Sequence, residues 1–291
     1  MLHHLRYLLS HPLGGRRPAR AIARWVRWQV GSRLALGPVV VPWVAGTRLL
    51  AAPGLTGATG NVYCGLHELE DMAFVLHALR PDELFVDVGA NVGSYTVLAG
   101  GAVGARVVAF EPVPEARGWL EQNVGINRLG ERVEVRAVAV GDAEGEVRMT
   151  CDADTMNRVV GGEHPGPTVA VPLGRLDALL ADHEPSRPAV VKVDVEGHER
   201  AVFEGARATL GQSELVGLVL EHGAGPEEER RLRADLATLG LSPVHYDPFA
   251  RRLWPRTDLD RGGNVIYVRD LARAQARVTA ARRFAVLDTT I

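Results

Sequence analysis

Five apolar runs of this chain each end in acidic residues. Leu84-Phe85-Val86-Asp87-Val88 leads into Gly89-Ala90-Asn91-Val92-Gly93, Arg106 to Phe110 into Glu111-Pro112, and residues 133–140 into Gly141-Asp142. The run 189–194 ends in Asp194-Val195-Glu196-Gly197-His198-Glu199, and 215–221 in Glu221-His222-Gly223. Carboxylates accept hydrogen bonds and protons, and a histidine titrates near neutrality. Open parallel sheets bind ligands beyond the carboxyl ends of their strands, so such a row of ends predicts one site. At a single end the alternative is a helix cap, most readily at Asp142.

The first turn narrows the ligand. A dinucleotide fingerprint reads G-x-G-x-x-G, its middle glycine letting the backbone approach a pyrophosphate; Asn91 holds that place here. A cofactor without pyrophosphate fits better. Asp87 can take an ammonium group, Glu111 two ribose hydroxyls and Asp142 an adenine amino group, which together outline S-adenosylmethionine. Methyl transfer from a sulfonium to an oxygen requires that oxygen to be aligned behind the methyl and relieved of its proton. His222 is the predicted base, with Asp194 and Glu196 orienting it or accepting the proton. As plain structure, His222 would cap a strand end and Glu196 a helix. A divalent metal on Asp194, Glu196, His198 and His222 is the lesser reading, because no H-x-x-x-H or cysteine cluster accompanies them. His67, Glu68 and Glu70 open the helix before the first strand, where they could cover the methionine end or form a solvated face. Lys192 is the only lysine and reads as a core lysine paired with a neighbouring strand's carboxylate.

The stretches Phe85 to Gly93, Phe110-Glu111-Pro112 and Val191 to Glu199, with Leu176-Asp177 between them, resemble the FkbM-type methyltransferases. They lie in order over residues 84–223, about half the chain. The resemblance implies a class I Rossmann-like fold, S-adenosylmethionine as methyl donor, and a hydroxyl acceptor on a sugar, polyketide or other metabolite. It also implies that Asp87, Gly89, Asn91, Gly93, Glu111 and Asp142 line the cofactor site, with Ala90, Thr96 and Pro112 of the same segments. Residues 1–66 lie outside it. A carboxylate acceptor, which needs no base, is an alternative within this chemistry. A nicotinamide-dependent oxidoreductase or epimerase would want G-x-G-x-x-G and Tyr-x-x-x-Lys, and neither is present. A cofactor-binding protein without turnover is the non-enzyme alternative.

Positioning these residues requires an α/β scaffold. Strands alternate with helices at about 93–101, 114–127, 197–210 and 226–239, which predicts a mostly parallel sheet. Pro243 to Tyr246 and Asn264 to Arg269 would close it as an antiparallel hairpin. Residues 145–173 read as a β insertion, Glu146 to Thr150 and Thr168 to Pro172 flanking a loop with Asn157 and His164. Residues 1–66 form an extension: a helix over 19–34, a hairpin pairing 39–41 with 47–51, and a Gly-rich loop from Gly54 to Gly60. The helix stripe Ile22, Val26, Val30 and Leu34 is expected to pack on the core. The main domain is expected over 67–270, opening with a helix from His67 to Leu79, and a C-terminal helix and tail over 271–291.

The 291 residues, 46% hydrophobic and 23% charged, suit a globular protein with an ample core. Two cysteines, Cys64 and Cys151, give no disulfide framework, and no apolar run would span a bilayer, so a cytoplasmic protein is expected. The net charge of -2 hides an asymmetry: residues 1–67 hold eight arginines, and all 35 acidic residues follow. An acidic body without basic-aromatic motifs argues against nucleic acid and for a small-molecule or glycan acceptor. The basic arm, with Trp25, Trp28 and Trp43, is read first as docked on the body, with contact to a membrane surface or to a phosphorylated or nucleotide-linked acceptor as the alternatives. Nothing in the sequence speaks to oligomeric state.

Overall fold

The computed structural model describes residues 2–152, 156–161, 164–181, 183, 188–223, 225–257 and 263–291. Three helices come first, α1 (Leu2–Ser10), α2 (Pro12–Arg16) and α3 (Pro18–Leu34), then the hairpin β1 (Val39–Pro42) and β2 (Arg48–Ala51). Helices α4 (Thr56–Cys64) and α5 (Leu69–Ala78) lead into β3 (Leu84–Val88), α6 (Ser94–Val97), β4 (Arg106–Phe110), α7 (Pro114–Ile126) and β5 (Val133–Arg136). The insertion holds β6 (Ala139–Val140), β7 (Gly145–Thr150), β8 (Val159–Val160) and β9 (Thr168–Gly174); residues 153–155 and 162–163 of its loop lie outside the described residues. After α8 (Leu176–Leu179) follow β10 (Pro188–Val193), α9 (Glu199–Gly205), α10 (Arg207–Leu210), β11 (Gly217–His222), α11 (Pro226–Thr238), β12 (Ser242–Asp247), β13 (Arg252–Pro255), β14 (Gly263–Val268) and α12 (Leu271–Ala280).

The main sheet has eight strands in the order β13-β12-β14-β11-β10-β3-β4-β5. β11, β10, β3, β4 and β5 run parallel, while β14, β12 and β13 close one side antiparallel. This is the expected α/β sheet with an antiparallel end, carrying one strand more than the predicted hairpin. The β-branched and leucine-rich runs of β3, β10 and β11 suit strands covered on both faces. Successive side chains point to opposite faces. Phe85, Val107, Val190 and Val219 feed one core with Met72 and Phe74 of α5. Val86, Val108, Val191, Leu218 and Leu220 feed the other with Val202 and Leu232. The chain leaves β3 for β4 on one side, while β10 flanks β3 on the other, so the sheet's switch point lies between β3 and β10.

Three local expectations are corrected. The run 133–140 is not one strand: β5 stays in the main sheet, and β6 turns away to pair with β9 in a sheet of order β6-β9-β7-β8. The segment from Gly54 to Gly60 is not all loop, because α4 begins at Thr56. A Cβ at Gly60 would stand 2.6 Å from the His67 ring, so this glycine serves packing and does not end the helix. Finally, α3 buries Ala21, Trp28 and Ser32, while Val26, Val30 and Leu34 of the expected core stripe are exposed. The extension is nonetheless held on the body, by Arg20 to Asp288 at 2.7 Å and by Tyr7 Oη to His67 Nδ1 at 2.9 Å. Among the described residues, no helix is long and apolar enough to cross a membrane.

Candidate active site

A cavity of about 300 Å³ opens where β3, β4, β10 and β11 end. One half is lined by Asp87, Gly89, Ala90, Asn91, Glu111 and Pro112, the other by His67, Glu68, Asp194, Glu196, His198 and Glu221. The insertion contributes Met149, Met156 and Asn157, and α4 contributes Asn61. Eight of the predicted site residues, Gly89 among them, thus reach one cavity from the ends of β3, β4 and β10, and Glu221 joins them from β11.

In the first half, Asp87 is 1% exposed. Its Oδ2 accepts from Thr96 Oγ1 at 2.6 Å, and its Oδ1 is buried with no hydrogen-bond partner among the described residues. Burial raises its pKa, and the nearby Lys192 works against that. A buried carboxylate oxygen without a donor is costly, and a ligand ammonium would satisfy it. Glu111 accepts from the Asn91 amide at 2.8 Å and the Val113 amide at 2.9 Å. Burial pushes Glu111 up to about 7 despite those two donors. Asn91 makes its turn with φ of +49°, a left-handed conformation that asparagine tolerates better than most residues.

Strand periodicity decides the second half. Asp87 and Lys192 are register partners on β3 and β10. Lys192 shares its sheet face with Val190, and Glu221 shares that face with Val219. Lys192 Nζ donates to Asp194 Oδ2 at 2.6 Å and stands 4.7 Å from the Tyr95 ring centre. Tyr95 in turn donates to Glu68 Oε2 at 2.6 Å. Burial works against the charge on Lys192, but Asp194, Glu68 and Asp87 outweigh it and raise the pKa. Burial likewise opposes ionised Asp194, and Lys192 overrides it downward. Glu221 moves the other way: its hydrogen bond with Asp194, then burial, lift it to about 9. The two carboxyls therefore share one proton, as a coupled pair. Asp194, Glu196 and Glu221 bring carboxylate oxygens within 4.8 Å of one another.

His222 is placed differently from expectation. It is the next residue after Glu221, so it projects from the opposite face, with Leu218 and Leu220. There it is 6% exposed, its Nε2 lies 2.9 Å from Tyr267 Oη, and burial, then Arg233 and Arg256, push it down to about 4. It is not among the residues lining the cavity. The metal set predicted with His222 and His198 is replaced by the three carboxylates. Gly93, Thr96 and Asp142 also lie outside the lining. Thr96 acts through Asp87, and Asp142 is exposed, its main-chain carbonyl accepting from Arg175. Glu70 lines a second cleft with His11 and Arg256. Glu221, beside His222 in sequence, lines the cavity instead, and counting alternate residues along β11 separates the two.

The family model described as the methyltransferase FkbM domain matches residues 87–251. The hexuronic acid methyltransferase AglP of Haloferax volcanii is 26% identical over 171 residues, covering 58% of this chain and 68% of that protein. The 31-O-demethyl-FK506 methyltransferase FkbM of Streptomyces tacrolimicus is 28% identical over 171 residues, covering 46% of this chain and 64% of that protein. The AMB antimetabolite synthetase AmbE of Pseudomonas aeruginosa is 45% identical over 73 residues, which are 25% of this chain and 3% of that protein. This chain thus spans about two thirds of the first two relatives and a small part of the third. Its matched segment holds the end of β3 and all of β4, β10 and β11 with every acidic strand end described above, and the chain belongs to the FkbM methyltransferase family.

Proposed function

We propose that this protein is an S-adenosylmethionine-dependent O-methyltransferase whose acceptor is a hydroxyl of a sugar or similar polyhydroxylated metabolite. The observation that carries the reading is the single cavity joining the unpaired Asp87 oxygen to the Asp194–Glu221 pair. When bound, S-adenosylmethionine supplies an electrophilic methyl group on a sulfonium. Asp87 fits the ammonium of its amino-acid end, and Glu111 keeps lone pairs for ribose hydroxyls beyond its two backbone donors. Gly89 lets the β3 turn lie against β10, so the cofactor half and the carboxylate pair are held at fixed spacing.

Glu221 takes the acceptor proton as the oxygen–carbon bond forms and the sulfur–carbon bond breaks. Asp194 is a poor candidate, since Lys192 holds it ionised and weakly basic. Glu221 is the stronger base, and basicity near the working pH favours proton transfer. A hydroxyl acceptor needs a base and a carboxylate does not, so a Glu221 poised to take a proton favours the hydroxyl at the reacting position. Chelators are expected to leave the rate unchanged, because Lys192 and the shared proton already offset the clustered carboxylates.

Radiolabelled methyl transfer to hexuronic acids and their oligosaccharides tests the reading. An alkali-stable label is expected; label released as methanol in mild base would mark an ester and refute the hydroxyl assignment. Calorimetry is expected to show S-adenosylmethionine binding and none of NAD. Asp87→Asn keeps the Thr96 contact and removes the charge, so cofactor affinity is expected to fall by about 1–3 kcal/mol. Unchanged affinity would remove Asp87 from the cofactor site.

The rate should also depend on pH in one direction. Glu221 works only when deprotonated, so kcat is expected to rise with pH through its titration near 9. A base at His222 would instead give a limb near 4 and a flat profile above neutrality.

A further inference from the structure

The exposed side of α3 is apolar where a surface helix is ordinarily polar. Val26, Val30 and Leu34 are 45%, 54% and 77% exposed. At about 100° per residue, these three and the exposed Ala19 and Ala23 fall within an arc of about 80°. Exposed Arg33 borders that arc on one side, and exposed Arg27 and Arg20 border it on the other. The ridge continues past the helix through fully exposed Leu36 to exposed Val40 on β1.

The opposite side of α3 fixes the direction in which this ridge faces. Trp28 packs with Ala51, Ala58 and Val92, and Ala21 packs with Leu8 and Cys64, so the helix is seated on α4 and β2 through its other face. The ridge therefore points away from the acidic body. Asp288 of the body takes Arg20, and no Asp or Glu occurs among residues 1–67 to meet Arg27 or Arg33. An apolar strip flanked by Arg27 and Arg33 matches the two layers of an anionic lipid surface, acyl chains for Val30 and Leu34 and headgroup phosphates for Arg27 and Arg33.

We propose that the Val26–Leu36 ridge docks this protein on an anionic phospholipid bilayer, with α3 lying in the plane of the surface. The cavity wall at Asn61 belongs to α4, on which α3 is seated, so the docked face and the cavity are one helix apart.

Flotation of the full chain with vesicles tests this without reference to catalysis. Binding is expected to vesicles of phosphatidylcholine mixed equally with phosphatidylglycerol, weakly or not at all to phosphatidylcholine alone, and to fall with added salt. The double variant Val30→Glu and Leu34→Glu changes only exposed positions and should cut binding by roughly tenfold or more. Arg27→Glu should also weaken it, with S-adenosylmethionine affinity unchanged in both as the check on folding. No binding to the mixed vesicles, or equal binding by the double variant, overturns the proposal. A dimer in solution that the double variant dissociates, without lipid binding, assigns the ridge to a second copy and overturns it as well.

Discussion

Glu221→Gln is expected to lower the rate of methyl transfer by about 10² to 10⁴, the usual loss when a general base is removed. Affinity for S-adenosylmethionine should barely change, since glutamine keeps the size of Glu221 and the hydrogen bonds of Asp87 and Glu111 do not involve it. The glutamine is nearly isosteric and can still bond to Asp194, so the fold is expected to survive. His222→Phe should do the reverse. It removes the buried hydrogen bond to the Tyr267 hydroxyl, which costs about 0.5–1.5 kcal/mol of stability, and leaves the rate nearly intact. Chemical denaturation and single-turnover kinetics on both variants separate the two roles. A large rate loss in His222→Phe with normal stability, and none in Glu221→Gln, would restore the histidine as base.

That pair of residues also shows what the sequence could and could not disclose. The acidic strand ends and the order of parallel strands were legible, because apolar runs and turn glycines are local signals. Which of Glu221 and His222 faces the cavity depends on parity along β11, fixed by the register with β10 and thence with Asp87. The pairing of Lys192 with Asp194 follows from the same parity. Other features had no local signature. The break between β5 and β6 is set by pairing with β9, more than thirty residues later. The seating of α3 was misread because hydrophobicity alone favours Val26, Val30 and Leu34. The surface offered by α4 and β2 instead accepts the small Ala21 and the broad Trp28. Gly60 looked like a breaker until His67 was seen to need its space.

The largest effect on the fold is expected from a single methyl group at Gly89. This glycine has φ of +77°, a region that costs an ordinary residue of order 1–3 kcal/mol. Its place between β3 and β10 is more restrictive still. A Cβ there would stand 1.8 Å from the Asp194 carbonyl oxygen and 2.9 Å from its carbon, both main-chain atoms that no rotamer change can move. The same junction is tied by the Asp194 amide to the Val88 carbonyl at 3.0 Å. Gly89→Ala must therefore separate the two strand ends that carry Asp87 and the Asp194–Glu221 pair. A loss of more than about 4 kcal/mol in stability is expected, in the range reserved for strain and overpacking at buried positions. Where the protein still folds, cofactor binding and methyl transfer should fall together. Gly118→Ala on α7 provides the contrast, because a Cβ there meets nothing within 4 Å. In a helix interior that change should stabilise by about 0.5–1 kcal/mol. Denaturation curves of the two variants, read beside calorimetric cofactor affinity, make the comparison. If Gly89→Ala folds as stably as Gly118→Ala and binds S-adenosylmethionine normally, the close contact between β3 and β10 is not what shapes the cavity.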